Sequence, residues 1–129
     1  MTINQRGDVV GFVGKDGDID ANELRAFLWT KKGGFQYLPP LAGDPFSEAL
    51  GINNNGQIVG ISCLFGGAPC RPVLWENGVP MDLNSLAPGY SGVLSTAQDI
   101  NDDGQITGRA VTSTGARVAY LATLIDEDD

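Results

Sequence analysis

Short apolar runs separated by turn residues dominate the pattern of hydrophobic and polar positions along the chain. The runs "AFLW" from Ala26 and "PVLW" from Pro72 are rich in strand-favouring residues, and the glycine-containing turns "KKGG" and "ENG" end them. No stretch of about ten residues or more places apolar side chains at the 3.6-residue spacing of an amphipathic helix. The pattern therefore predicts a nearly all-β chain. Residues 44–50 are the one segment for which we consider a single helical turn.

One nine-residue motif recurs three times and sets the organisation of the chain. Its copies are "INQRGDVVG", "INNNGQIVG" and "INDDGQITG", which begin at Ile3, Ile52 and Ile100. The spacings of 49 and 48 residues fall in the range that is typical of repeat proteins. Asn, Asp and Gly between short apolar stretches are the strongest local signal for a β-hairpin. We therefore expect three equivalent hairpins.

The turn of each hairpin is predicted to depend on asparagine and glycine. A tight turn of this kind needs a residue with positive φ, which glycine adopts at no steric cost. The predicted structural turn residues are Gly7, Gly56, Gly104, Asn53 and Asn101.

Two further landmarks follow the turns. "RAFLW" (Arg25–Trp29) matches "RPVLW" (Arg71–Trp75), and "RVAYLA" (Arg117–Ala122) is a weakened third copy. The last landmark occurs twice, as "FQYLPPL" and "PMDLNSL", so that Leu38 matches Leu83. Trp29 and Trp75 end matching apolar strands, and this position favours packing between repeats. The alternative is that the tryptophans are exposed and stack on a sugar. The predicted packing residues are Trp29, Trp75, Leu38 and Leu83.

These landmarks divide a single domain, residues 1–129, into units 3–51, 52–99 and 100–129. Four short antiparallel strands in each unit of about 48 residues suit a β-propeller-like blade. Because propellers typically need 4 to 8 blades to close, a pseudo-threefold β-trefoil or β-prism is the alternative. Unpaired strand edges invite another strand, so we also consider a homo-oligomer that completes the sheets.

Together these motifs resemble the extracellular HAF repeat, a tandem β repeat of bacterial secreted and surface proteins. The resemblance covers nearly the whole chain, since "INNNGQIVG", "RPVLWENG" and "VPMDLNSL" follow the family's pattern and the third unit keeps the hairpin and "AYLA". Arg25 and Arg71 stand where His is common in the family, so a role of that imidazole is absent here. The resemblance implies an extracellular or cell-surface location, and it implies no catalytic activity or particular ligand.

Charge and composition narrow the classes of partner. Eight basic and sixteen acidic residues give a formal net charge of -8, which repels phosphate backbones and anionic lipid. No apolar run approaches the roughly 18 to 20 residues needed to span a bilayer. We therefore expect neither nucleic-acid binding nor membrane insertion. The first residues lack the basic and apolar regions of a signal peptide.

One acidic stretch is a candidate calcium site. In "KDGDIDANE", Asp16, Asp18, Asp20 and Asn22 stand at alternate positions, the oxygen-rich spacing that Ca²⁺ favours. The glycine and glutamate that complete an EF-hand loop are absent, so a solvated acidic loop is the simpler interpretation. The stretch "DINDDG" could also be considered a calcium site. Its copies "GINNNG" and "TINQRG" have few or no carboxylates, so the shared turn explains the Asp and Asn residues better than a metal does.

The remaining polar candidates are two cysteines and two arginines. Cys63 and Cys70 bracket the glycine-rich "LFGGAP"; in an exported protein they would most simply form a disulfide, and free thiols are the alternative. Arg25 and Arg71 could form surface ion pairs, with Glu23, Glu76 and Asp82 as the candidate partners. The chain has no histidine, the commonest general base and zinc ligand.

The sequence is best interpreted as a non-catalytic structural or binding β-repeat module of an exported or surface bacterial protein. Its ligand, protein or glycan, stays open, and no cofactor beyond the candidate Ca²⁺ is expected. The first alternative is a carbohydrate- or calcium-binding lectin-like domain, for which an exposed tryptophan would be the sign. A glycan-active enzyme would need two carboxylates facing each other in one cleft, and no spacing singles out such a pair.

Overall fold

The structure is a computed structural model that describes residues 1–14, 24–64 and 69–125. In these residues the chain forms three antiparallel sheets and one short helix, so the all-β prediction is confirmed. Sheet 1 consists of β1 (Thr2–Ile3), β2 (Val9–Gly14), β3 (Leu24–Thr30) and β4 (Gly34–Leu38). Sheet 2 consists of β5 (Phe46–Ile52), β6 (Ile58–Cys63), β7 (Cys70–Glu76) and β8 (Val79–Asp82). Sheet 3 consists of β9 (Val93–Leu94), β10 (Asp99–Ile100), β11 (Gln105–Val111) and β12 (Arg117–Thr123), and helix α1 (Leu83–Leu86) lies between sheets 2 and 3 in the sequence.

The strands of sheets 1 and 2 follow one another in sequence order, each paired with the next. In sheet 3, β10 and β9 pair with successive parts of the same edge of β11, and β12 pairs with its other edge. The two short strands therefore take the place that the continuous β5 has in sheet 2. Each motif copy forms the turn between the first strand of a sheet and the second. Sheet 2 accordingly begins at Phe46, whereas the sequence unit begins at Ile52.

Two local predictions need correction. The single helical turn considered for residues 44–50 is wrong, because most of this segment belongs to β5, where Phe46, Ala49 and Ile52 are buried along β6. The second concerns "FQYL" and "PMDL", each of which has the pattern of a fourth strand: "FQYL" lies in β4, whereas β8 ends at Asp82, whose side chain accepts a hydrogen bond from the backbone N–H of Asn84 and caps α1.

The three sheets pack face to face in an open row with sheet 2 in the middle. One core lies between sheets 1 and 2, and a second lies between sheets 2 and 3. In each sheet we call the side of the first motif isoleucine the upstream face and the opposite side the downstream face. The downstream face of one sheet packs on the upstream face of the next. Upstream residues of sheet 2 include Ile52, Ile58, Val73 and Trp75, and its downstream residues include Val59 and Leu74.

The strand register defines how the third unit matches the first two. The glycines that end the motif copies mark equivalent positions in the pairs Gly11–Phe27, Gly60–Val73 and Gly108–Tyr120. The "AYLA" of the third unit therefore takes the positions of "AFLW" in the first, and Ala122 stands where Trp75 stands in sheet 2. Val118 stands at the position of Arg71, and Arg117 lies one residue before it, on the other face of the sheet.

Candidate functional site

The most distinctive arrangement of polar groups lies in the three repeated turns. In the middle turn, the Oδ1 atom of Asn53 accepts hydrogen bonds from the backbone N–H groups of Asn55 and Gln57, at 3.0 and 2.9 Å. The first and third turns are built in the same way around Asn4 and Asn101. The motif glycines take the positive φ that the turn requires: +85° at Gly7, +79° at Gly56 and +78° at Gly104.

The same asparagines also connect one turn to the next. The Nδ2 atom of Asn4 donates to the backbone oxygen of Asn53 at 2.9 Å, and that of Asn53 donates to the backbone oxygen of Asn101 at 3.0 Å. We call Asn4, Asn53 and Asn101 the asparagine ladder. The second hydrogen of each Nδ2 stays within its own turn, on the side chain four residues later: Asp8, Gln57 and Gln105. The amides of Asn4 and Asn53 are therefore fully used by the fold.

A second row of contacts runs beside the ladder. The backbone N–H of Gln5 donates to Oδ1 of Asn54, and the backbone N–H of Asn54 donates to Oδ1 of Asp102, both at 2.7 Å. The side-chain amide of Asn54 donates to the other carboxylate oxygen of Asp102 at 2.9 Å. These hydrogen bonds from Asn54 hold the pKa of Asp102 below its ordinary value. The row thus ends on a carboxylate that accepts from the turn before it.

The last glycine of the motif serves a different purpose from the first. A Cβ atom on Gly60 would meet the backbone oxygen of Glu48, and a Cβ atom on Gly108 would meet the backbone oxygen of Thr96. Both positions lie where the first strand of the sheet is irregular, at the register shift between Ala49 and Gly51 in sheet 2 and between β9 and β10 in sheet 3. Sequence reasoning missed this requirement and also missed Asn4, Asn54 and Asp102. The recurrence of the motif was the signal that could have found Asn4.

The upstream face of sheet 1 is an exposed aromatic surface. Trp29, Phe35 and Tyr37 are 41, 50 and 46% exposed. Phe35 lies directly opposite Trp29 on the neighbouring strand and stacks on the buried Phe27, with 5.1 Å between the ring centroids. Tyr37 meets the edge of Phe35 at the same distance. We call Phe27, Trp29, Phe35 and Tyr37 the aromatic face.

The two tryptophans of the repeat have opposite environments. Trp75 is fully buried between sheets 1 and 2, and its Nε1 atom donates to the backbone oxygen of Pro39 at 2.7 Å. Trp29 occupies the same position of sheet 1, where the described residues place no sheet against it. The predicted packing between repeats is therefore seen for Trp75, whereas the described residues show no such contact for Trp29. Leu38 and Leu83 lie in the first and second core respectively.

A cleft of about 750 Å³ lies between the ends of sheets 2 and 3. Its apolar wall includes Leu74, Leu86 and Leu124, and Asp102 and Asp103 line the polar side. Leu86 is 50% exposed, whereas Leu41, its match in the first unit, is buried. Ala122 stands in sheet 3 where Trp75 stands in sheet 2, so this end of the second core is less filled than the first.

Other sequence candidates take structural positions. Cys63 and Cys70 face each other across β6 and β7 and are joined by a disulfide. Arg71 contacts Asp44 at 2.8 Å, so the proposed pairing with Glu76 or Asp82 is wrong. Ser62 also donates to Asp44, which fixes the carboxylate beside the buried strand. Glu23, a candidate partner of Arg25, lies outside the described residues.

The candidate calcium ligands, Asp16, Asp18, Asp20 and Asn22, also lie outside the described residues. Among residues 1–14, 24–64 and 69–125, no group of three or more Cys, Asp and Glu side chains is placed to hold a metal ion. In the third turn, Asn101 and Asp102 are engaged in the hydrogen bonds described above. The only helix of the described part of the chain, α1, is far too short to cross a membrane.

Comparison of the chain with protein-family models, with curated proteins and with solved structures finds no match.

Proposed function

We propose that this chain is a non-catalytic structural or binding β-repeat module of an exported or surface bacterial protein. The observation that carries the proposal is the asparagine ladder. In all three copies of the motif, the recurring Asn and Gly shape the turn, and two of the asparagines donate directly to the following turn. Because the recurring Asn and Gly residues shape the turns and join neighbouring sheets, their recurrence is explained without a ligand.

Propeller-like blades are the architecture that we propose for the module. Each blade would be one sheet of up to four antiparallel strands, and the blades would pack face to face as consecutive layers. The in-order strand connections of sheets 1 and 2 and the recurrence of the same face-to-face contact support this proposal. The resemblance of the motifs to the HAF repeat supports the tandem-repeat organisation alone.

Export is supported by the disulfide between Cys63 and Cys70. Disulfides persist in the periplasm and outside the cell, whereas cytosolic thiols are usually kept reduced. The HAF resemblance favours the same location.

The proposal is tested by changing a ladder residue in the middle of the row. Asn53→Asp keeps the oxygen that accepts from Asn55 and Gln57 and removes the amide that donates to Asn101. We expect a loss of about 1 to 3 kcal/mol in the free energy of unfolding, because Asn53 is buried and the new carboxylate oxygen would face the oxygens of Gln57 and Asn101 without a donor. The matched control is Asn55→Asp, on an exposed side chain of the same turn. Equal stability of the two variants would contradict a structural role of the ladder.

Carbohydrate binding is a second candidate, favoured by the aromatic face. Exposed aromatic rings side by side on a sheet can stack on sugar rings. The test is titration of the protein with cello-, chito- and mannohexaose while the fluorescence of Trp29 and Trp75 is recorded. Saturable binding that Trp29→Ala abolishes would establish the lectin-like alternative. A purely structural module would show no such binding.

A further inference from the structure

The upstream face of sheet 1 occupies the position that is a buried interface in the other two sheets. Ile52 and Ile100, the first motif residues of sheets 2 and 3, are 6 and 5% exposed, whereas Ile3 is 66% exposed. Trp75 is fully buried and Trp29 is 41% exposed. Twice within the chain, therefore, an upstream face is covered by the downstream face of another sheet. The same kind of downstream face is the surface that would fit sheet 1.

Within residues 1–14, 24–64 and 69–125, the downstream face of sheet 3 is the one that no other sheet covers. There Leu121 is 64% exposed, although Leu74 at the equivalent position of sheet 2 is buried. Arg109 and Arg117 lie on the same face, since both alternate with the buried side chains of the second core. Guanidinium groups stack well on aromatic rings. This face therefore suits the aromatic face of sheet 1 in both apolar and electrostatic character.

The two ends of the ladder are also complementary. At the sheet 3 end, Asn101 Nδ2 donates only within its own turn among the described residues, so its second hydrogen is available. At the sheet 1 end, the backbone oxygen of Asn4 accepts only the N–H of Gly7 among those residues. Inside the chain, such a donor and such an acceptor make the contacts Asn4–Asn53 and Asn53–Asn101. One end of the molecule thus offers the donor that the other end would accept.

We propose that a second copy of this chain docks head to tail, with the downstream face of its sheet 3 on the upstream face of sheet 1. The contact continues the interface that joins sheets 1, 2 and 3 and extends the asparagine ladder from Asn101 of one copy to Asn4 of the other. The inference rests on the proposed repeat-module function and names its partner.

The size of the face predicts how the copies associate. Four strands spaced about 4.8 Å apart and some 20 Å long give a face of roughly 400 Å². A stable interface needs about 800 Å² on each partner. A single contact is therefore weak, whereas two copies that dock at both ends bury roughly twice as much. Such a pair carries six sheets, within the 4 to 8 blades of closed propellers.

The test is the mass of the full chain in solution, measured by sedimentation velocity from about 10 µM to about 1 mM, a range that reports on micromolar to millimolar dissociation constants. We expect a dimer that dissociates on dilution. Trp29→Glu and Leu121→Glu each alter one of the two faces, and each should abolish the dimer because every contact uses one copy of each face. Val79→Glu changes an equally exposed apolar residue of the middle sheet and should leave the dimer intact. Circular dichroism at low concentration confirms that each variant is folded, and Phe35→Glu replaces Trp29→Glu if the latter unfolds.

Mixing the two altered proteins distinguishes head-to-tail from symmetric contact. The mixture restores one unaltered contact, so weak association should return at the highest concentrations. Asn101→Asp, which removes the ladder donor, should raise the dissociation constant about tenfold. A dimer of Leu121→Glu as stable as the wild type would show contact between two sheet 1 faces and would overturn the proposal. A monomer at 1 mM would also overturn the proposal. If such a monomer binds hexasaccharides through Trp29, the aromatic face of sheet 1 is a glycan site instead. A monomer that binds no hexasaccharide leaves the repeat-module function intact and removes only the partner.

Discussion

Trp75→Ala, compared with Trp29→Ala, tests whether the same position of the repeat has different energetic weight in neighbouring sheets. The chain has only these two tryptophans, and both end a matching "LW" strand. Trp75 is fully buried in the first core and donates to Pro39, whereas Trp29 is 41% exposed on the uncovered face. The sequence alone predicts equal effects, and the structure predicts unequal ones.

The magnitudes follow from the buried area. A tryptophan side chain buries about 200 Å², which at about 25 cal/mol per Å² corresponds to about 5 kcal/mol. Trp75→Ala should lose about this much, because the lost packing is accompanied by an unpaired oxygen on Pro39. Trp29 already exposes 41% of its surface in the folded state, so Trp29→Ala should cost about 2 to 3 kcal/mol. A domain of this size has a total stability of about 5 to 15 kcal/mol. Trp75→Ala therefore approaches global unfolding and Trp29→Ala does not.

Urea unfolding followed by fluorescence provides the assay. Each variant retains a single tryptophan, so its emission reports one environment: a blue-shifted, poorly quenched Trp75 in the Trp29→Ala protein, and an exposed Trp29 in the other. The measurements are made at low micromolar concentration so that association does not contribute. Losses that agree within about 0.5 kcal/mol, or equal acrylamide quenching of the two residues, would refute the assignment of Trp75 to a covered face and Trp29 to an uncovered one.

The remaining predictions concern one glycine and two carboxylates. Gly60→Ala should destabilise the fold more than Gly56→Ala. An alanine with positive φ at position 56 costs about 1 to 2 kcal/mol, whereas a Cβ atom at position 60 would collide with the backbone of Glu48. Thermal unfolding measures both losses, and a milder effect at Gly60 would contradict its close approach to Glu48. Partial burial raises the pKa of Glu48 above its ordinary value of 4.5, so its ionisation weakens the fold as the pH rises through the raised pKa; Glu48→Gln should raise the melting temperature at pH 7 and have no such effect below pH 4.5. Asp102→Asn should lower the melting temperature at neutral pH. Hydrogen bonds from Asn54 lower the pKa of Asp102, so their contribution to stability is present above pH 3.8 and is lost as the pH falls through the lowered pKa. A higher melting temperature of Asp102→Asn at neutral pH would contradict this contribution.

Local features of the fold could be predicted from the sequence because short-range physics determines them. A turn with Gly56 needs positive φ whatever surrounds it, and the alternation of apolar runs and turns requires strands. The partner of a strand face depends on distant residues instead. Trp29 and Trp75 end similar local sequences, "RAFLW" and "RPVLW", and the presence or absence of a neighbouring sheet decides which of them is buried.

The third unit shows how far matching letters specify a strand. "AYLA" takes the strand positions of "AFLW", whereas the hairpin register places Val118, and not Arg117, at the arginine position. Since strand positions alternate between faces, Arg117 lies on the opposite face of its sheet from that of Arg25 and Arg71. The ion pair of Arg71 could not be predicted from the sequence, because Asp44 precedes β5 and approaches Arg71 only when the sheet is formed.

The repeated turn also gives the row of sheets a direction. Each ladder asparagine accepts from its own turn through Oδ1 and donates to the following turn through Nδ2, so the contacts from Asn4 to Asn101 all run one way. In the second row the backbone donors run the same way, while the side-chain amide of Asn54 also donates back to Oε1 of Gln5 at 3.3 Å. This row ends at Asp102, because a carboxylate accepts hydrogen bonds and has none to donate. The ladder does not end in this manner, because Asn101 retains its amide. Association through the ladder, as we propose it, would join the open donor at one end to the open acceptor at the other and would therefore be head to tail. This polarity follows from the hydrogen bonding of one asparagine repeated about every 48 residues.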